Sequence, residues 1–255
     1  MSSFFEESIL WMAGELGCET FYIYGICRSA HFVHVFAEGR IERHDRSPHN
    51  IVHRRSRDNG KTWEETRFID RSDNGECFCN PTAVWDANAK RLILLYSQNY
   101  ENNASGLFVK TSDDDGINWS EPSELTSLFD EDAYRRTLHL PGPGHGLQTS
   151  SGRLIFPVWH RKPLSLSPEE RVYGITLIYS DDSGETFHNL GEIEPGTEML
   201  NESRVVEMSD GRLIVNARSG AFTVSPRYIS ASDDGGMTWS LPQEIDLPTY
   251  AFATD

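Results

Sequence analysis

The sequence predicts an all-β fold of the β-propeller class, and three observations carry the prediction. A short phrase, S-x-D-x-G-x-[TN]-[WF], occurs four times. A β-rich run precedes each copy, and the intervening stretches are further short runs of β-branched and aromatic residues. No long helical periodicity competes with them. From serine to serine the copies are 56, 68 and 52 residues apart, a spacing that marks a propeller or a related array. About four strands per phrase fits one propeller blade, so the chain carries about four blades.

Composition agrees with one globular unit over residues 1–255. Hydrophobic residues make up 38% and aromatics 11%, enough for a packed core. The net charge of −16 argues against nucleic acid, because phosphate binding needs a basic surface. An anionic ligand would need a local cationic cluster working against the overall field. No apolar run approaches the roughly 18 residues of a membrane helix, so no membrane span is expected. The opening MSSFFEESILWMAGELG lacks a basic start and is interrupted by Glu6, Glu7 and Glu15, unlike a signal peptide. Localisation stays open, with the cytoplasm as the default. Cys18, Cys27, Cys77 and Cys79 include no C-x-x-C pair. They read as free, mostly buried thiols, with disulfides not indicated, and Cys77-Phe-Cys79 alone is a poor metal signal. No metal or cofactor is expected.

Along the chain, residues 1–18 form an irregular or helical lead-in. Strand-like runs then follow: NIVHRR, RLILLYSQ, GLFVKT, RLIFPVWH, YGITLIY, RVVEM, RLIVNAR and RYISA. NIVHRR, GLFVKT, YGITLIY and RYISA each lead into one phrase. Asp58, Gly60 and Trp63 form the first copy, and Asp114, Gly116 and Trp119 the second. Asp182, Gly184 and Phe187 form the third, and Asp234, Gly236 and Trp239 the fourth. The aspartate accepts hydrogen bonds from backbone N–H groups ahead of it, and the glycine supplies a positive φ. The aromatic residue then pins the returning strand. This is a hairpin recipe, without the spacing and closing glutamate of a calcium loop.

The four phrases resemble the Asp boxes, or BNR repeats, of the sialidase superfamily, and nearly the whole chain, from about Phe21 to about residue 245, follows that pattern. In FAEGRIERHD, Arg40 matches a pocket arginine of the family and Asp45 its acid/base carboxylate. In NESRVVE and GRLIVNAR, Glu202 matches the glutamate that activates the catalytic tyrosine, and Arg218 a member of the arginine triad. A turn at Ser209-Asp210-Gly211 joins these two runs into a hairpin, which sets Glu202 and Arg218 at one end. GPGHGLQ and the following strand resemble the stretch that places aromatic side chains on the sugar pocket wall, here Trp159 and His160. Asn80-Pro81-Thr82 resembles a family turn near the pocket.

The resemblance implies an exo-α-sialidase-type glycoside hydrolase that removes terminal sialic acid from glycoproteins, glycolipids or oligosaccharides. The substrate carboxylate asks for arginines, whose planar fork binds it bidentately. The same carboxylate disfavours a carboxylate nucleophile, and sialidases use a tyrosine with retention of configuration. Tyrosine needs a base beside it, the Glu202 role, and a separate acid, the Asp45 role. Three features depart from the family pattern. Tyr22 stands where the first triad arginine is expected, with Arg28 six residues later. The third arginine and the tyrosine nucleophile follow the fourth box in the family, and Tyr250 has no matching context. The family propeller has six blades, which implies that this sequence is an incomplete or degenerate member. The alternative implied is a non-catalytic BNR propeller that binds glycans or proteins.

Overall fold

The computed structural model describes residues 7–98, 104–163, 166–167, 170, 172–196, 198–220 and 225–249. Tyr250 lies outside these residues, as do the first six of the lead-in. Four mainly antiparallel sheets succeed one another along the chain. The first holds β1 (Thr20–Arg28), β2 (Val33–Arg40), β3 (His49–Ser56) and β4 (Arg67–Asp70) in that order. The second is built on β5 (Phe78–Asp86), β6 (Arg91–Gln98), β7 (Gly106–Ser112) and β8 (Ser123–Glu124). Three short strands follow: β9 (Leu138–Pro141), β10 (Gly144–His145) and β11 (Leu147–Gln148). β9 and β11 both pair with β12 (Leu154–Arg161), which continues through β13 (Tyr173–Ser180) to β14 (His188–Ile193). The fourth sheet is β15 (Leu200–Glu207), β16 (Leu213–Ser219), β17 (Ser225–Ser232) and β18 (Gln243–Thr249). This is the arrangement of four propeller blades.

Alternation of side chains along each strand fills the layers between successive sheets. Phe36 and Ile51 of the first sheet meet Phe78, Leu94 and Tyr96 of the second. Ile93, Leu95 and Leu107 meet Leu154, Phe156 and Ile178 of the third. Ile155, Ile175 and Leu177 meet Val205, Leu213 and Val215 of the fourth. The second and third sheets are thus covered on both faces, which is why RLILLYSQ reads as an almost continuous apolar run. Each fully buried Leu or Ile contributes about 1.5–3 kcal/mol. The outward face of the first sheet, with Phe21, Ala37 and Val52, is closed by the lead-in. Trp11 stacks on Phe21 at 5.7 Å between ring centroids, and its indole N–H donates to Thr66 Oγ1 at 3.0 Å. The described part of the lead-in is irregular, apart from a 3-10 turn at Glu15–Gly17. Among the described residues, no strand of the first sheet packs extensively on a strand of the fourth.

Every Asp box joins the third strand of its sheet to the fourth, and the four are built alike. In the first, the Ser56 hydroxyl donates to Asp58 Oδ1 at 2.8 Å and accepts from the Gly60 N–H at 2.8 Å. Asp58 also accepts from the Thr62 N–H at 2.8 Å and the Thr62 hydroxyl at 2.7 Å. The Asp182 and Asp234 boxes repeat the set with Thr186 and Thr238, and in the Asp114 box the Asn118 side-chain amide replaces the threonine hydroxyl. Two consecutive left-handed residues turn each box, for example Asn59 at φ 59° and Gly60 at φ 90°. Boxes also contact the preceding sheet. Arg55 of β3 donates to the Asp115 carbonyl at 2.6 Å, and a Cβ on Gly116 would lie 2.8 Å from His53.

The GPGHG stretch leaves the third sheet, and β10 pairs in parallel with β5, Gly144 opposite Thr82 and His145 opposite Ala83. The Gly146 N–H donates to the Ala83 carbonyl at 2.9 Å, and the Thr82 hydroxyl donates to the Gly142 carbonyl at 2.6 Å. From the fourth sheet, Arg204 Nε donates to the Pro143 carbonyl at 2.8 Å. Glycine is required here by close approach, since a Cβ on Gly142 would lie 2.0 Å from the Ser203 carbonyl oxygen.

Candidate functional site

The box turns all lie at one rim of the sheets, and the other candidate residues gather at the opposite rim. Register places them there: Ser56 pairs with Val33 at one end of the first sheet, and His49 with Arg40 at the other. In the fourth sheet Ser232 pairs with Leu213, and Arg227 with Arg218. The inner strands are bulged near this second rim, between Tyr22 and Gly25, Cys79 and Thr82, and Leu200 and Ser203. Ile23 and Asn80 take φ of 49° and 55° within two of these bulges. Bulges re-aim side chains at strand ends, and the third carries Asn201 and Glu202.

From the first sheet come Arg40 and Asp45. Arg40 Nε and Nη2 donate to Glu38 Oε2 at 2.9 and 2.7 Å, and Nη1 donates to Asp45 Oδ1 at 2.5 Å. Its guanidinium also stands 4.9 Å from the centroid of the Tyr22 ring. Burial opposes the Arg40 charge, but Glu38 and then Asp45 raise its pKa above the usual value. Asp45 is open to solvent, with 70% of its side chain exposed, whereas Glu38 is 1% exposed. From the fourth sheet come Glu202 and Arg218, an ion pair at 2.9 Å between Oε2 and Nε. The hairpin places them together as the sequence led us to expect. Burial raises the Glu202 pKa; Arg218 opposes that, and the carboxylates of Glu38 and Asp45 add to it. Residues of the first and fourth sheets thus share one electrostatic neighbourhood.

One expectation needs correction. Trp159 and His160 do not line an open pocket: they are 7% and 1% exposed. β12 is covered on both faces, so its side chains enter the packing between sheets. Trp159 joins the core facing the fourth sheet. His160 packs against Phe129 and its Nδ1 is 2.8 Å from that of His139. Arg28, six residues after Tyr22, lies away from this rim. It ends β1 opposite Val33, at the rim of the box turns.

Several residues at this rim were not singled out in the sequence. Glu38 sits inside the quoted FAEGR, and it also accepts from the Asn80 N–H at 2.8 Å. Arg227, in β17, has its pKa lowered by burial and by the nearby Arg218 cation, an effect Glu202 partly offsets. Its signal was only its position opposite Arg218, which requires the register. His49 lies beside Cys77 and Cys79, a cluster whose members are too far apart in sequence to stand out. The four cysteines are all free, and among the described residues no helix is long and apolar enough to cross a membrane.

Comparisons with known proteins give a consistent result. The BNR repeat-like domain family matches residues 50–255. Mouse Sialidase-3 is 30% identical over 193 residues, 68% of this chain and 46% of its own length. A sialidase of Micromonospora viridifaciens is 26% identical over 218 residues, 78% of this chain and 32% of its own. The chain therefore spans about a third to a half of these relatives. Among solved structures, the Hadza microbial sialidase Hz136 superposes with a TM-score of 0.77 at 22% identity, over 93% of this chain and 48% of its own. The intramolecular trans-sialidase from Ruminococcus gnavus gives 0.78 at 18%, over 94% and 73%.

Proposed function

The chain belongs to the sialidase superfamily, within the family of BNR repeat-like domains, and on that premise we propose that its charged rim belongs to an exo-α-sialidase-type glycoside hydrolase. The observation that carries this reading is the joint neighbourhood of Arg40–Asp45 and Glu202–Arg218, set on sheets at the two ends of the chain. In this reading Arg218 and Arg40 hold the carboxylate of a terminal sialic acid. Asp45, the exposed carboxylate, protonates the leaving oxygen and later activates water. Glu202 serves as base to a tyrosine nucleophile, and the family's retaining outcome follows from a covalent intermediate. The reading also calls for a tyrosine nucleophile and a third arginine, and neither is assigned among the described residues. Sialylated oligosaccharides, glycoproteins and glycolipids are the substrates this chemistry fits.

A second reading has its own observation. The ring of Tyr22 occupies the position matched to a triad arginine, and Arg40 rests against it while already bound to Glu38 and Asp45. That arrangement suits a propeller that binds sialylated glycans without cleaving them. Release of the fluorophore from a fluorogenic sialoside separates the two. Turnover that falls at least a hundredfold in Asp45→Ala supports the hydrolase. Turnover indifferent to Asp45→Ala removes that assignment. Saturable sialic acid binding without turnover, lost in Arg218→Ala, supports the binding protein.

A further inference from the structure

His49 at the start of β3 meets Cys77 and Cys79 at the start of β5, across the joint between the first and second sheets. The two sulfurs are 3.3 Å apart, and His49 Nδ1 is 3.6 Å from one and 3.7 Å from the other. All three side chains are buried, at 1%, 1% and 3% exposure. The two cysteines are two residues apart on one extended segment, so both side chains issue on the same face. His49 and Cys77 are themselves joined by a parallel bridge. Nothing in the reading of the charged rim uses these three groups.

We propose that His49, Cys77 and Cys79 form a binding site for one thiophilic divalent cation, zinc. Zinc holds cysteine sulfur at about 2.3 Å and histidine nitrogen at about 2.0–2.1 Å in a tetrahedral arrangement. Ligand atoms at those distances stand about 3.5–3.8 Å from one another, close to the three separations found. The sulfurs and Nδ1 reach the ion with side-chain adjustments alone. The histidine is turned correctly for the task. Its Nε2 lies 3.4 Å from the His44 carbonyl oxygen, an outer partner of the kind that fixes the tautomer of a ligating imidazole and leaves Nδ1 free to bind. Charge also balances. Two thiolates neutralise a dication, so the occupied site adds no net charge beside the buried Glu38–Arg40 pair. Glu38 Oε2 is 3.5 Å from the same Nδ1, but Arg40 holds it twice, so the protein fixes three ligands. Soft sulfur donors select zinc over magnesium or calcium. The ion would clip two sheets together, and it would anchor the segment 41–48 that carries Asp45.

The test is cobalt substitution. The reduced, metal-free wild-type protein is titrated with Co²⁺ and then with Zn²⁺. The expected result is one cobalt per chain, an intense thiolate-to-cobalt band in the near ultraviolet, and the visible bands of a tetrahedral site, all abolished by zinc. Cys77→Ser and Cys79→Ser should each remove the thiolate band, His49→Gln should weaken zinc affinity by roughly tenfold or more, and Cys18→Ser with Cys27→Ser should change nothing. Because the buried substitutions can unfold the chain, the wild-type spectrum decides the matter alone. A folded, reduced wild-type protein with no such band, or a band that survives loss of both Cys77 and Cys79, overturns the proposal.

Discussion

With Arg40 on one oxygen and the Asn80 amide on the other, Glu38 is fully engaged in a dry setting. Breaking a buried pair by neutralising one partner leaves an uncompensated charge, so Glu38→Gln should cost about 3 kcal/mol in a urea denaturation. Asp45→Asn should cost under about 1 kcal/mol, since that partner is exposed. Glu202 works in the opposite sense. Its folded pKa is raised above the ordinary 4.5, chiefly by burial. Its contribution is therefore full below the unfolded value and is lost as pH rises through the folded one. The melting temperature of Glu202→Gln, relative to wild type, should accordingly rise as pH increases from about 4.5. A flat difference would remove the burial argument. The placement of Arg40, Glu202 and Arg218 at one rim was legible because they lie at or near strand ends within recognisable phrases, and that of Asp45 because it follows Arg40 in the same phrase. Glu38 was not, since its importance comes from a hydrogen bond to Asn80, 42 residues away. Trp159 was misread because sequence shows which residues alternate, but not that both faces of β12 are covered.

The Asp box is the element that recurs, and its parts are not equivalent. Gly60 and Gly116 are both left-handed, at φ 90° and 77°. A Cβ at Gly60 meets Trp63 at 3.5 Å, ordinary contact, whereas one at Gly116 meets His53 at 2.8 Å. Gly60→Ala should cost about 1 kcal/mol for backbone strain, and Gly116→Ala about 1–3 kcal/mol more for displacing a packed ring. Chemical denaturation of the pair checks the ranking. The box aspartates also set an acid limit. Backbone and side-chain hydrogen bonds, from Thr62 above all, hold Asp58 down to about 2, and the Thr186 hydroxyl leads the same effect at Asp182. A depressed pKa contributes stability above the unfolded value of 3.8 that is lost as pH falls through the folded one. Stability should drop steeply between about pH 4 and 2, and Asp58→Ala together with Asp182→Ala should flatten that drop. The boxes and most strands were legible from turn chemistry and β-branched runs. The inner-strand bulges and the departure of β10 were not, because neighbouring sheets, rather than local preference, impose them.

At the scale of the whole molecule, stacking makes the four sheets a near one-dimensional series. The second and third are covered on both faces, while the fourth alternates buried and accessible residues along β15 and β16. Amide hydrogens of β5, β6, β12 and β13 should exchange far more slowly than those of β17 and β18 in a hydrogen–deuterium experiment. Equal protection would mean that the sheets unfold as one unit. Four blades were countable in the sequence because each has its own box, but the order of packing between them was not. One joint differs from the others in the extent of its backbone pairing, since the first and second sheets share only the single bridge His49–Cys77. Between the first and second sheets, and between the third and fourth, side chains do most of the holding. Between the second and third, β10 adds a short parallel pairing to β5, and Arg204 fastens the same segment from the fourth sheet. Under tension, greasy surfaces peel apart gradually, whereas backbone pairs loaded along the strand must rupture together. A molecule pulled from its ends should therefore yield first at its outer sheets, with the central two letting go last as a single mechanical clasp.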